Sequence, residues 1–217
     1  MRLPARLRRR ARLLGLGLVL AVSSAVAACT PASPPDPATA PSPDGPSPVS
    51  EIPRFHLRGP AWTVVRTGPG HPSRRLRQAN RRAAVAAKRV LTDLYVAAFL
   101  DPSNWRTASY DDAFGGFAPT ARRQAESREK LLTAGPRAGD RYEEIRPTRG
   151  TIRTRILVDR RGAPTLVVSV VRFGAVASGD ETVRIRSHGQ FFFERVRGRW
   201  QIISFHVTRT DAPPEAA

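Results

Sequence analysis

The 217-residue chain has one cysteine, Cys29, one methionine, and only two lysines, Lys88 and Lys130, among its 36 basic residues. A lone cysteine closes no disulfide within the chain, so the fold is not held by a disulfide framework. There is no Cys/His metal cluster, no His-Glu-x-x-His, no glycine-rich phosphate loop and no Gly-x-Ser-x-Gly elbow. These absences remove the hydrolase and nucleotide-binding classes recognised by those patterns, and no metal or cofactor is expected. The stretch TGPG at Thr67 to Gly70 is a turn and nothing more. No acidic residue occurs before Asp36, and the apolar segment Leu13 to Val22 is shorter than the about 20 residues that span a bilayer.

The net charge of +18 rests on 36 basic and 18 acidic residues. Arginine-heavy usage beside abundant Ala and Pro reads as the product of a GC-rich genome, so the arginine count reflects codon supply as well as chemistry. The arrangement of the first arginines is more specific. Arg2, Arg6, Arg8, Arg9, Arg10 and Arg12 precede the apolar segment, and small residues follow it, which is the layout of a secretory signal. Within the Arg8 to Leu13 run an arginine occupies the place where a twin-arginine signal wants an apolar residue, so the general export route is expected.

Val26-Ala27-Ala28-Cys29 then resembles the lipobox of bacterial lipoproteins, an aliphatic residue and two small ones before a cysteine. That resemblance implies removal of residues 1–28, lipidation of Cys29, and a protein held by lipid at the outer face of the cell membrane. Two or three acyl chains anchor stably where one does so only marginally, because each buried methylene contributes about 0.8 kcal/mol. From residue 29 to 60 the chain is rich in Pro, Ser, Ala and Thr with few large apolar side chains. Such a composition predicts a disordered, extended linker. A folded domain is expected over 61–211 and a short disordered tail over 212–217.

The domain opens on a predicted helix. Ser73 is its N-cap, residues 74–100 contain neither Gly nor Pro, and Leu76, Ala79, Ala83, Ala87, Val90, Leu91, Leu94 and Ala98 form one apolar stripe. Asp101-Pro102 stops it. A helical turn around Trp105, a break at Gly115-Gly116 and a second helix over about 119–134 follow. The period then changes to two over 151–159, 165–176, 182–193 and 200–208, with turn signals at Arg160-Arg161-Gly162 and Arg197-Gly198. Helices followed by a meander of about four strands predict an α+β domain in which the helices cover one face of a curved antiparallel sheet.

The order of these elements, from FLDPSNW at the end of the first helix to GQFFFERVRGRWQIISFHVTR in the last strands, resembles the nuclear-transport-factor-2-like superfamily. It is similar in particular to domains of actinobacterial exported lipoproteins and Mce-associated membrane proteins. The resemblance covers roughly 75–210, and its most specific part is the hairpin Gly198 to Ile203. It implies a cone-shaped domain with a pocket between helices and sheet, and it implies no single activity, since that cone hosts isomerases, dehydratases and binding modules.

Enzymes of the superfamily use carboxylates, Tyr or His inside the cone, which makes Asp93, Tyr95, His188 and His206 the acid/base candidates. Trp105, Tyr110 and Trp200 are the pocket candidates, with Asp111 and Asp112 beside them. A two-residue turn at Arg197-Gly198 sets Gly189 opposite His206 and turns the two histidines to opposite faces. The basic clusters Arg74-Arg75-Arg77, Arg81-Arg82 and Arg122-Arg123 are candidates for anionic lipid or wall polymer. Nucleic acid would suit the same charges, but an exported, anchored protein seldom meets it. The expected function is a non-enzymatic binding or accessory module for a membrane complex or an apolar ligand. The alternatives are an isomerase or dehydratase using His or Asp, and a basic module for wall polymer or anionic lipid. Partner and oligomeric state stay open at this point.

Overall fold

The computed structural model describes residues 52–59, 62–65 and 73–213. The signal segment, Cys29 and most of the linker lie outside the described residues, as do residues 214–217. The chain divides into units 1–47 and 48–217, and all that follows concerns the second.

Helix α1 (Arg74–Tyr95) starts where the sequence places it, with the Ser73 hydroxyl accepting the Leu76 N–H at 3.3 Å. Ala83, Ala87, Leu91 and Leu94 from the expected stripe are buried, joined by Asn80, Ala84 and Tyr95. From Val96 to Leu100 the helix widens into a π-helical turn that carries three consecutive buried residues, Ala98, Phe99 and Leu100. Asp101 then ends one helix and begins the next: its carboxylate accepts the Ser103 N–H at 2.9 Å and caps α2 (Pro102–Thr107). Proline at the first helical position costs nothing there, because its missing N–H would be unpaired anyway.

A 3-10 turn (Asp112–Gly116) leads to α3 (Pro119–Ser127), α4 (Glu129–Leu132) and α5 (Ala138–Arg141). The single helix expected over 119–134 is thus two pieces, broken at Arg128 with φ −116° and ψ 25°. Beside the break the Ser127 hydroxyl donates to the Gln124 carbonyl at 2.8 Å, a local bond of the kind that competes with the helical ladder.

The domain is α+β, with a five-stranded mixed sheet in the order β1-β2-β3-β4-β5. Strands β2 (Tyr142–Val158), β3 (Pro164–Gly179), β4 (Val183–Val196) and β5 (Arg199–Ala212) form the antiparallel meander. The short β1 (Thr63–Val65), not expected from sequence, lies parallel to β2 at the edge. Strand β2 begins nine residues before the alternating run that announces it, because the register shift between Pro147 and Arg149 absorbs a proline that reads as a breaker. The last hairpin turns at Arg197 and Gly198, whose φ values of 49° and 83° suit a two-residue turn of the primed type. β5 runs to Ala212, one residue into the expected tail.

One face of the sheet is covered by the helices and carries the core: Ile152, Ile156, Val167, Val171, Phe173, Phe191, Phe193, Ile202, Phe205 and Val207 are all buried. The folded unit also reaches into the segment expected to be linker. Phe55 and Leu57 are 8% and 0% exposed, and residue 58 is bonded to β2 in both directions, Arg58 N–H to Gly150 O and Ile152 N–H to Arg58 O, each at 2.8 Å. Two apolar residues in a polar, proline-rich stretch were enough to dock it.

Candidate functional site

The space between α1 and the sheet is filled by rings. Tyr95 stacks on Phe99 with centroids 5.8 Å apart, both meet Phe173 at 5.0 and 4.9 Å, and Phe55 and Phe191 close the group edge-on at 5.6 Å from Phe173 and 6.4 Å from Tyr95. Edge-on and offset contacts of this kind add to the burial of the rings themselves.

Of the four acid/base candidates, only Tyr95 lies in this interior. Its hydroxyl meets the Ser187 hydroxyl at 3.3 Å, and burial pushes the phenol up to about 12 despite that bond. A phenol so held keeps its proton at neutral pH. Asp93 is exposed and pairs loosely with Arg89, one helical turn away, at 3.8 Å. Trp105 is buried, as is Tyr110, whose hydroxyl donates to the Gly135 carbonyl at 2.9 Å and whose phenol burial also pushes up to about 12. Asp111 is exposed on Arg122 at 3.3 Å, and Asp112 is exposed at the start of the 3-10 turn. Trp200 is half-buried at the edge of the core.

The histidines require a correction. From Val196↔Arg199 the pairing proceeds as expected to Phe193↔Ile202, but Phe192 then pairs with Ser204. The bulge consumes Ile203, so His206 faces Gln190 instead of Gly189. A one-residue slip exchanges the two faces of a strand. Phe205 and Val207 therefore enter the core, while His206 joins His188 on the solvent face, both exposed. The two do not look in opposite directions, and neither looks inward.

That solvent face carries what the sequence reading missed. Arg153 and Arg155 on β2 stand opposite Val170 and Val168 on β3, and Arg172 stands opposite Thr151 and His188. Together with Arg58 and Arg149 they line a groove of about 500 Å³ floored by Val168 and Val170. Two further concavities adjoin it, both sharing Arg149. No Asp or Glu lines any of the three. The signal was present as alternation: T-I-R-T-R-I over 151–156 and V-R-I-R-S-H over 183–188 set every second residue outward. Among the described residues no group of three His, Cys, Asp or Glu is placed to hold a metal ion, and no helix is long and apolar enough to cross a membrane.

In comparisons with known proteins, the chain matches no protein-family model, no curated protein and no solved structure.

Proposed function

We propose that this chain is an exported lipoprotein, anchored through Cys29 at the outer face of the cell membrane, whose domain is a nuclear-transport-factor-2-like cone that binds a partner and catalyses no reaction. The observation that carries the binding role is the packing of the interior. The space where an isomerase or dehydratase of that superfamily would receive its substrate is occupied by Tyr95, Phe99, Phe173 and Phe191. Asp93, His188 and His206, the other acid/base candidates, are exposed. Proton transfer needs a group within hydrogen-bond reach of a bound substrate, so partner contact is assigned to the outer surface.

The anchor rests on the sequence: six arginines, a short apolar run and Val26-Ala27-Ala28-Cys29, followed by a tether. Between Cys29 and the docked segment lie the 22 residues 30–51, and a polyproline-like chain of that length at about 3.1 Å per residue reaches up to about 70 Å, enough to hold the domain clear of the bilayer. The test is fractionation of cells expressing the full chain or its Cys29→Ala variant. The wild-type chain is expected in the membrane fraction and released by detergent, and the variant in the soluble or secreted fraction. A variant that stays with the membrane overturns the lipid anchor. For the binding role, cross-linking on intact cells is expected to trap the domain with an envelope component through its solvent-exposed sheet face.

A further inference from the structure

We propose that the solvent-exposed face of the sheet is a docking groove for a linear anionic polymer, one charged phosphodiester per repeat. This rests on the binding-module role and names its surface and ligand.

Charge complementarity carries the choice. Arg58, Arg149, Arg153, Arg155 and Arg172 converge on one groove whose lining has no carboxylate. The acidic residues that alternation puts on this face, Glu144 and Glu194, sit at opposite ends of the sheet, and Glu144 is already held by Arg146 at 2.6 Å. Arginines two apart on a strand are about 6.6 Å apart, and neighbouring strands lie about 4.8 Å apart. The groove therefore presents several guanidiniums at short, repeated intervals along and across β2 and β3. One small anion satisfies one or two of them, whereas a polymer with a charge in every repeat satisfies the set. Guanidinium matches phosphate oxygens in a two-point geometry and sheds its water readily.

The floor discriminates among polyanions. Val168 and Val170 offer aliphatic surface, on which the CH groups of a polyol linker rest without loss. An acidic peptide would set backbone N–H and C=O groups against that surface unpaired. Single-stranded nucleic acid is bound on exposed aromatic platforms, but no aromatic side chain lines this groove; in the adjoining concavities Phe55 and Phe173 are turned into the core, leaving only the small imidazoles of His56 and His188 exposed. A bilayer is flat and meets only the rim of a groove, while a single extended chain lies within it.

The test uses the full chain in nonionic detergent, with poly(glycerol phosphate) as probe and phosphatidylglycerol vesicles, polyglutamate and oligothymidylate as competitors. Binding to poly(glycerol phosphate) is expected with a log–log salt slope of about −3.5, from five guanidiniums at about −0.7 each. Arg153→Ser/Arg155→Ser is expected to weaken it at least tenfold and lower the slope to about −2. The helix pair Arg81→Ser/Arg82→Ser, which removes the same charge from α1, is expected to change affinity less than twofold. Val170→Glu, which puts a carboxylate on the floor, is expected to act like the β2 pair, and thermal melts of all three variants check that they fold. Equal losses from the helix and sheet pairs show that net charge alone binds, and overturn the groove. Preference for vesicles, polyglutamate or oligothymidylate overturns the ligand class. Neither outcome touches the anchor, which is read separately by fractionation of Cys29→Ala.

Discussion

Arg209 and Asp211, two residues apart on the core-facing side of β5, meet in a two-point ion pair, Nε to Oδ1 at 2.8 Å and Nη2 to Oδ2 at 2.7 Å. The carboxylate aims the guanidinium at the end of α4, where it donates to the carbonyls of Lys130, Thr133 and Ala134. Its carbon also stands 5.7 Å from the Phe99 ring centre. Helix carbonyls at a C-terminus have no partner within the helix, so one cation from the last strand closes a helix far away in sequence. Arg209→Met would leave part-buried carbonyls unpaired and is expected to cost about 3 kcal/mol. That lowers the melting temperature by roughly 10 °C for a domain of this size. Asp211→Asn, at a more exposed partner, is expected to cost under about 1 kcal/mol. A thermal melt of Arg209→Met within a degree or two of wild type would show that water replaces the guanidinium.

The bulge at Ile203 decides which side chains of β5 are in the core. Deleting Ile203 removes the unpaired residue and leaves Ser204 opposite Phe192, whereas deleting Ile203 and Ser204 together would put Phe205 opposite Phe192, sending His206 inward and Phe205 and Val207 out to solvent. Two large apolar side chains exchanged for a polar one cost several kcal/mol, enough to unfold a domain of ordinary stability. The double deletion is expected to abolish the cooperative melt and the soluble yield, and the single deletion to keep them. Ile203→Ala, which keeps the bulge, is expected to retain both.

The helix stripe, its Ser73 cap, the Asp101 stop and the Arg197-Gly198 turn were all legible in sequence, because each depends on neighbours within one or two turns of chain. The bulge was not. Nothing in the residues from Trp200 to Phe205 marks which one is unpaired, and a single slip reverses the histidines. The basic groove was half-legible: the alternating arginines of β2 and β4 were in view, but only pairing through β3 brings them to one face. The arginine clusters of α1 are denser in sequence, yet Arg75, Arg81 and Arg82 there are simply solvated.

Docking of residues 52–59 depends on a close fit at Gly150, where an added Cβ would stand 2.4 and 2.5 Å from two carbons of the Phe55 ring. Gly150→Ala and Phe55→Ala are both expected to release the segment, the second at about 3 kcal/mol for a ring lost from the core. Because they break the same contact, the double variant is expected to be no less stable than the worse single one by more than about 0.5 kcal/mol. Urea melts of the three chains give the energies, and protease cleavage between Arg54 and Arg58 reads the release directly. Full additivity would mean that Phe55 and Gly150 act independently.

Tyr95 gives the domain an alkaline limit. Its phenol sits at about 12 in the fold, against an ordinary value of 10.0, because burial opposes the phenolate. The folded form therefore holds a proton that the unfolded chain releases earlier. The resulting stability is complete below pH 10 and is lost as pH rises from about 10 to about 12. Two pH units correspond to roughly 2 to 3 kcal/mol. Tyr95→Phe removes this dependence and also the bond to Ser187, so at pH 7 the variant is expected to be less stable by about 1 kcal/mol. Above pH 10 its stability should fall more gently, retaining the slope contributed by Tyr110, also at about 12. The two stability curves, measured as urea midpoints from pH 7 to 12, are thus expected to meet between pH 10 and 12 and to cross, the variant being the more stable at pH 12. Parallel curves would mean that the Tyr95 phenolate forms without loss in the fold, and that the ring cluster opens to water more readily than its packing implies.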